Sequence, residues 1–203
     1  RQRRIAQAVA TLPPSGLMVD RILAVYGEAT DDERLDGAQW YGAAHAIAGV
    51  VAGGLDLSIE HGAGIVAALS PQCSWDENVV RALAFADGEI VGGLADGLAK
   101  AEKIGAGLAP GAVLGGRKVR SFYWNIVGHR HHVTVDRHAV AVVFDRALSD
   151  TEIKVLERPG PYTYIAGAYR AAARKVGLEP STLQAITWLA WRRIKRIGYD
   201  LDF

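Results

Sequence analysis

Only one cysteine, Cys73, occurs in the 203 residues, so no intramolecular disulfide framework can form and the chain suits a reducing compartment. Long apolar runs are scarce as well. The longest, from Ala43 to Leu57, is broken by His45, Gly49, Gly53 and Gly54, too short and too polar for a membrane span. Arg1-Gln2-Arg3-Arg4 is basic, but the apolar core of a signal peptide does not follow it. Neither sign of charge dominates: the formal net charge is +1 at pH 7, so the total argues neither for nor against a polyanionic partner. Internal repeats and low-complexity tracts are absent too.

What the chain has is small and apolar residues. Half of it is hydrophobic, 50%, with 23 glycines and abundant alanine, which fits closely packed helices better than a sheet. A chain of 203 residues can hold one sizeable core or two small helical lobes. Spacing predicts helices over Leu17 to Tyr26 (capped by Ser15), Ala38 to Ala52, Ser58 to Leu69 and Trp75 to Phe85. Others are expected between Ile90 and Ile104, over Tyr162 to Val176, and from Pro180 to about Ile197. Arg1 to Ala10 reads as a short basic helix stopped by Leu12-Pro13-Pro14. Thr30-Asp31-Asp32-Glu33 and the pair Ser149 and Glu152 read as capping boxes, the first opening a turn or short helix. Gly53-Gly54 should break the helix before it, and Gly105 to Gly116 reads as a loop. His138 to Phe144 is Val-rich enough to serve as helix or strand. The chain as a whole reads as all-α.

The stretch from Gly115 to Ala139 carries most of the chemistry. A glycine pair feeds the start of a helix, where free N–H groups and the dipole favour an anion such as phosphate, and Lys118 sits in that first turn. An apolar-aromatic segment, a turn at Gly128 and the extended Val133-Thr134-Val135 lead to Asp136. Between Arg117 and His138 the cations Arg117, Lys118, Arg120, Arg130 and Arg137 face the single acid Asp136. His129, His131 and His132 lie close together, but without carboxylate or cysteine partners they read as a solvated loop near phosphate rather than a metal site. The last helix ends in Arg192, Arg193, Lys195 and Arg196, either a phosphate-binding face or a basic helix end favoured by the dipole.

These motifs resemble the helix-hairpin-helix DNA glycosylase superfamily, the group that includes endonuclease III and 8-oxoguanine glycosylase. Gly116-Arg117-Lys118 matches the end of its hairpin, and Val135-Asp136-Arg137-His138 its aspartate segment. Leu69-Ser70-Pro71-Gln72 through Asn78 looks like its Leu-Ser-x-Gln helix junction, and Lys100-Ala101-Glu102-Lys103-Ile104 like its Lys-Ala-x-x-Ile helix. Two departures stand out. The usual Leu-Pro-Gly-hydrophobic-Gly hairpin reads Ala112-Val113-Leu114-Gly115-Gly116, and the four cysteines of the iron–sulfur branch are missing.

The resemblance implies two helical lobes with a helix-hairpin-helix motif and a cleft between them. Residues 54–138 would form the hairpin lobe, and residues 1–53 with 139–203 the other. It implies action on double-stranded DNA without cofactor or metal, in the cytoplasm or nucleoid, including the host cytoplasm if the gene is a phage's; the oligomeric state is left open, with a monomer favoured. Lys118 would be the nucleophile and Asp136 the assisting carboxylate, with Gly115, Gly116, Arg117, Arg120, Gln72 and His138 contacting DNA. Gln72 would fill the gap left by a base flipped out of the stack. Each residue also has a plainer reading. Lys118 can be a phosphate-contacting surface lysine, Asp136 an N-cap, His138 a hydrogen-bonded structural histidine, and Gln72 or Asn78 a helix cap. Trp75, Tyr123, Trp124, Trp188 and Trp191 offer stacking surfaces, though aromatics at helical spacing are more often core. Two other function classes stay open: a base-modifying relative of the same fold, as in phage-type thymine hypermodification, and a non-catalytic DNA-binding module.

Overall fold

A side-chain cap or a proline in the first turn marks where most helices of the described chain begin. A computed structural model describes residues 12–196, and all regular structure among them is helical. In order the helices are α1 (Ser15–Gly27), α2 (Asp31–Gly54), α3 (Ile59–Leu69), α4 (Trp75–Ala86), α5 (Ala95–Gly105) and α6 (Pro110–Val113). There follow α7 (Arg117–Val127), α8 (Arg137–Phe144), α9 (Asp150–Leu156), α10 (Pro159–Val176) and α11 (Pro180–Ile194). The all-α expectation holds. The basic helix expected over Arg1 to Ala10 lies outside the described residues.

Both capping boxes form. Thr30 N–H donates to Glu33 Oε2 at 2.9 Å while Glu33 N–H donates to Thr30 Oγ1 at 3.2 Å. Ser149 and Glu152 repeat the pattern at 2.9 and 3.4 Å. The first box opens the 24-residue α2 rather than a short helix. Three acids in its first turn suit the positive end of the dipole, and the helix runs through Gly53 to end at Gly54. Ser15 is itself the first residue of α1, with Pro14 before it and no side-chain cap. The region 105–116 is not all loop, because Pro110 at the first helical position starts the single turn of α6.

The described chain divides into two units. One holds residues up to Trp40 and from Arg130 onward, the other Tyr41–His129. These boundaries fall earlier than 53/54 and 138/139, for reasons found in the first unit. Arg193 donates to Glu33 and to the Glu28 carbonyl, and a Cβ on Gly37 would lie 2.8 Å from Ile186 Cα, so the start of α2 is fastened to α11. Tyr162 fastens the segment before Asp136 in the same way. The core of this unit includes Met18, Ile22, Ile165, Tyr169 and Leu183, all at 0% exposure. Each such side chain contributes roughly 1.5–3 kcal/mol on burial.

In the second unit α3 is the central helix, against which α4, α5, α6 and α7 pack. Glycine permits this closeness. A Cβ on Gly62 would meet the Ala48 carbonyl oxygen at 2.0 Å, and one on Gly97 the Ala68 carbonyl oxygen at 2.6 Å. Ile65, Val66, Ala67, Ile104 and Ile126 are fully buried around it. The rings of Tyr41 and Trp75 meet Phe122 edge-on, with centroids 6.2 and 6.3 Å away.

Candidate functional site

The glycine-started helix lies in the second unit. Leu114 is extended and buried, and Gly116 has φ 70° and ψ 136°, a conformation glycine adopts without steric penalty. Gly116 is the N-cap of α7, and no side chain caps the helix, which suits that end to an anion. Gly115, Gly116, Arg117 and Arg120 are exposed and Lys118 is half-buried. Positive charge gathers nearby: Lys100 Nζ lies 3.8 Å from where a Cβ on Gly115 would sit, and Lys100 is ion-paired with Asp96. The opposite face of α7 anchors it through buried Phe122, Tyr123 and Ile126, and His45 Nδ1 is hydrogen-bonded to the Ile126 carbonyl at 2.8 Å. Burial pushes the Tyr123 phenol up, with the Glu60 carboxylate adding to the effect.

Gln72 belongs to the same unit, in the connection between α3 and α4. It is exposed and holds a left-handed backbone, φ 61°, while its neighbour Cys73 is buried and directs its S–H to the carbonyls of Leu69 and Ser70. A non-glycine residue in that region costs about 1–2 kcal/mol, so the turn holds the Gln72 side chain outward against a local penalty. Asn78, in the first turn of α4, is 0% exposed, and its amide has no hydrogen-bond partner among the described residues.

Asp136 and His138 belong to the first unit. Asp136 is the N-cap of α8 and accepts from the Ala139 N–H at 2.7 Å through Oδ1. Its other oxygen is different. The residue is 3% exposed, yet Oδ2 has no partner among the described residues. His138, 4% exposed, is in the same condition at Nε2, with its ring edge-on to Trp188 at 5.9 Å. That placement makes His138 an interior packing residue rather than a surface contact. Val133, Thr134 and Val135 before them lie outside regular structure and are buried. The Tyr162 hydroxyl donates to the Val133 carbonyl at 2.9 Å and accepts from the Val135 N–H at 3.1 Å. The Asp136 N–H closes a tight turn onto the Thr134 carbonyl at 3.0 Å. Tyr169, two helical turns beyond Tyr162, directs its hydroxyl to the Ala139 carbonyl at 3.4 Å. Burial pushes its phenol up; the hydrogen bond with Thr187 opposes this and the Asp136 charge adds to it. Neither tyrosine carries a sequence motif. Their spacing along an alanine-rich helix was the only available signal.

The basic end of α11 is not a free cationic face. Arg193 pairs with Glu33 at 2.7 Å, the Arg192 guanidinium lies 4.3 Å over the Trp188 ring, and Lys195 lies 3.7 Å from Asp145. Glu33 is correspondingly held below its ordinary range: burial raises it, but hydrogen bonds and charge from Arg193 and Thr30 outweigh that. Of the candidate stacking residues, Tyr123, Trp188 and Trp191 are buried, and Trp188 meets Trp40 at 5.3 Å.

The chain is thus an all-α protein with a glycine-started cationic helix in one unit and an interior carboxylate in the other. It belongs to DUF7178, a family of unknown function, which it matches over residues 8–195. No curated protein and no solved structure matches it.

Proposed function

We propose that this protein is a DNA glycosylase, with lyase capacity through Lys118, that flips a modified or damaged base from duplex DNA and cleaves its N-glycosidic bond. The observation that carries the proposal is Asp136. A carboxylate whose one oxygen caps a helix would satisfy a purely structural need. A second oxygen buried without a partner among the described residues does not stabilise the fold, and it fits a group kept for positive charge developing on a deoxyribose. The uncapped, glycine-started α7, with Arg117, Lys118 and Arg120 in its first turns, supports phosphate as the contacted group. The exposed, left-handed Gln72 supports insertion into a base stack.

In the lyase route the free amine of Lys118 attacks C1′ and the base departs with the electrons of the glycosidic bond and a proton. The proton shed by the attacking nitrogen goes to the departing base, and the sugar ring opens to a Schiff base. Loss of a C2′ proton then expels the 3′ phosphate by β-elimination. In the simpler route Asp136 alone stabilises the sugar cation and water is the nucleophile.

The test is borohydride trapping on abasic-site duplex DNA, with base release measured on a panel of oligonucleotides carrying different modified bases. A covalent adduct that disappears in Lys118→Ala supports the lyase. Base release without trapping supports Asp136 acting alone. Duplex binding with neither outcome overturns the glycosylase reading in favour of a base-modifying relative or a binding module.

A further inference from the structure

We infer that Tyr162 is a positioning residue for Asp136, and that its hydroxyl fixes where the free carboxylate oxygen points; the inference rests on the catalytic role proposed for Asp136. Residues 133–135 are 1–3% exposed, so their backbone groups cannot turn to water and must find partners in the protein. A tyrosine hydroxyl can both donate and accept. Tyr162 uses both capacities on this one segment, binding the Val133 carbonyl and the Val135 N–H on either side of Thr134.

The consequence reaches the carboxylate through the chain. With Oδ1 tied to the Ala139 N–H, the side chain of Asp136 has little freedom of its own. The direction of Oδ2 is then set by the backbone at 134–136, where the Asp136 N–H closes onto the Thr134 carbonyl. Tyr162 stands in the first turns of α10, behind Pro159 and Pro161, which pre-set the helical backbone there. Seven residues on, Tyr169 reaches the Ala139 carbonyl, so one rigid helix holds the chain before and after Asp136. A reacting group displaced by about 1 Å can lose roughly 100-fold in rate, so a clamp of this kind acts on catalysis more than on binding.

The full chain is tested as wild type, Tyr162→Phe, Asp136→Asn and the double variant, in single-turnover trapping and base release on abasic-site and modified-base duplexes. Tyr162→Phe should slow the chemical step about 10- to 100-fold, with duplex affinity changed less than about 2-fold. In the Asp136→Asn background the same change should have almost no effect, because the two residues act as one. An undiminished chemical step in Tyr162→Phe overturns the inference, and so does an equal loss in both backgrounds, which would mark a general structural role. A wild type that neither traps nor releases base defeats the glycosylase reading instead. Amide hydrogen exchange then decides the clamp on its own: Val135 and Asp136 should exchange at least about 10-fold faster in Tyr162→Phe, with α10 and α11 core amides unchanged. Unchanged exchange at Val135 overturns it.

Discussion

Replacing Asp136 separates a residue kept for folding from one kept for chemistry, because its two oxygens make opposite contributions. Oδ1 caps α8 at 2.7 Å, and losing such a cap costs about 1 kcal/mol, within a range of about 0.5–2. Oδ2 is buried with no partner among the described residues, a state that costs about 1–3 kcal/mol for a polar group and more for a charged one. Asp136→Asn keeps the capping oxygen and removes the charge. It forfeits about 0.3–1 kcal/mol of attraction to the helix dipole and leaves a neutral amide unpartnered in place of a costlier buried charge. Asp136→Ala loses the cap, about 1 kcal/mol, but sheds the orphaned oxygen, about 1–3 kcal/mol or more. Both variants are therefore expected at or above wild-type stability at pH 7, read from urea unfolding midpoints at constant slope. Base release or trapping should fall about 100-fold or more in both, to a rate still measurable in single turnover. Rising stability with lost activity is the signature of a group retained against the interest of the fold. If Asp136→Asn instead destabilises by more than about 1 kcal/mol, the second oxygen is stabilising and the residue is structural.

Two further expectations concern the scaffold. Gly62→Ala would drive a methyl to 2.0 Å from the Ala48 carbonyl oxygen, so it should destabilise by about 3 kcal/mol or more, whereas Gly42→Ala in the middle of α2 meets nothing within 4 Å and should stabilise by about 0.5–1 kcal/mol; thermal unfolding of both variants checks the contrast, and equal shifts would refute it. Hydrogen bonds from Arg146 and Ser149 hold Glu152 well below its ordinary 4.5, at about 2. A depressed carboxyl of this kind adds stability above its unfolded value and loses it as pH falls toward about 2. The group is exposed, so the effect is at most about 1 kcal/mol. The Tm difference between wild type and Glu152→Gln should be present at neutral pH and vanish between about 4.5 and 2, and a difference independent of pH would refute it.

The fold was largely readable because most helix starts are local events. Thr30 with Glu33 and Ser149 with Glu152 announce themselves in four residues. Gly53-Gly54 marks the end of a helix as read, since α2 stops at Gly54. Gly62 and Gly97 carry no local mark in the sequence, yet they set how closely those helices approach. Close approach depends on the partner backbone, which no window of sequence contains. The unit boundaries were missed for the same reason, since Gly37 against Ile186 and Arg193 on Glu33 are long-range contacts.

The same distinction runs through the candidate site. Gly116, Lys118 and Asp136 could be picked out because each owes its character to its own backbone: a positive φ, a first helical turn, an N-cap. What α10 adds is the hold on the chain around Asp136, through tyrosine hydroxyls that look like ordinary core aromatics in sequence. A carboxylate is only an N-cap until its second oxygen is shut away from water, and no motif around residue 136 announces that burial. A relative that kept the aspartate motif but lost the hydroxyl at position 162 would retain the cap and relax the aim of the free oxygen. Its chemistry, not its fold, would be the property to fall.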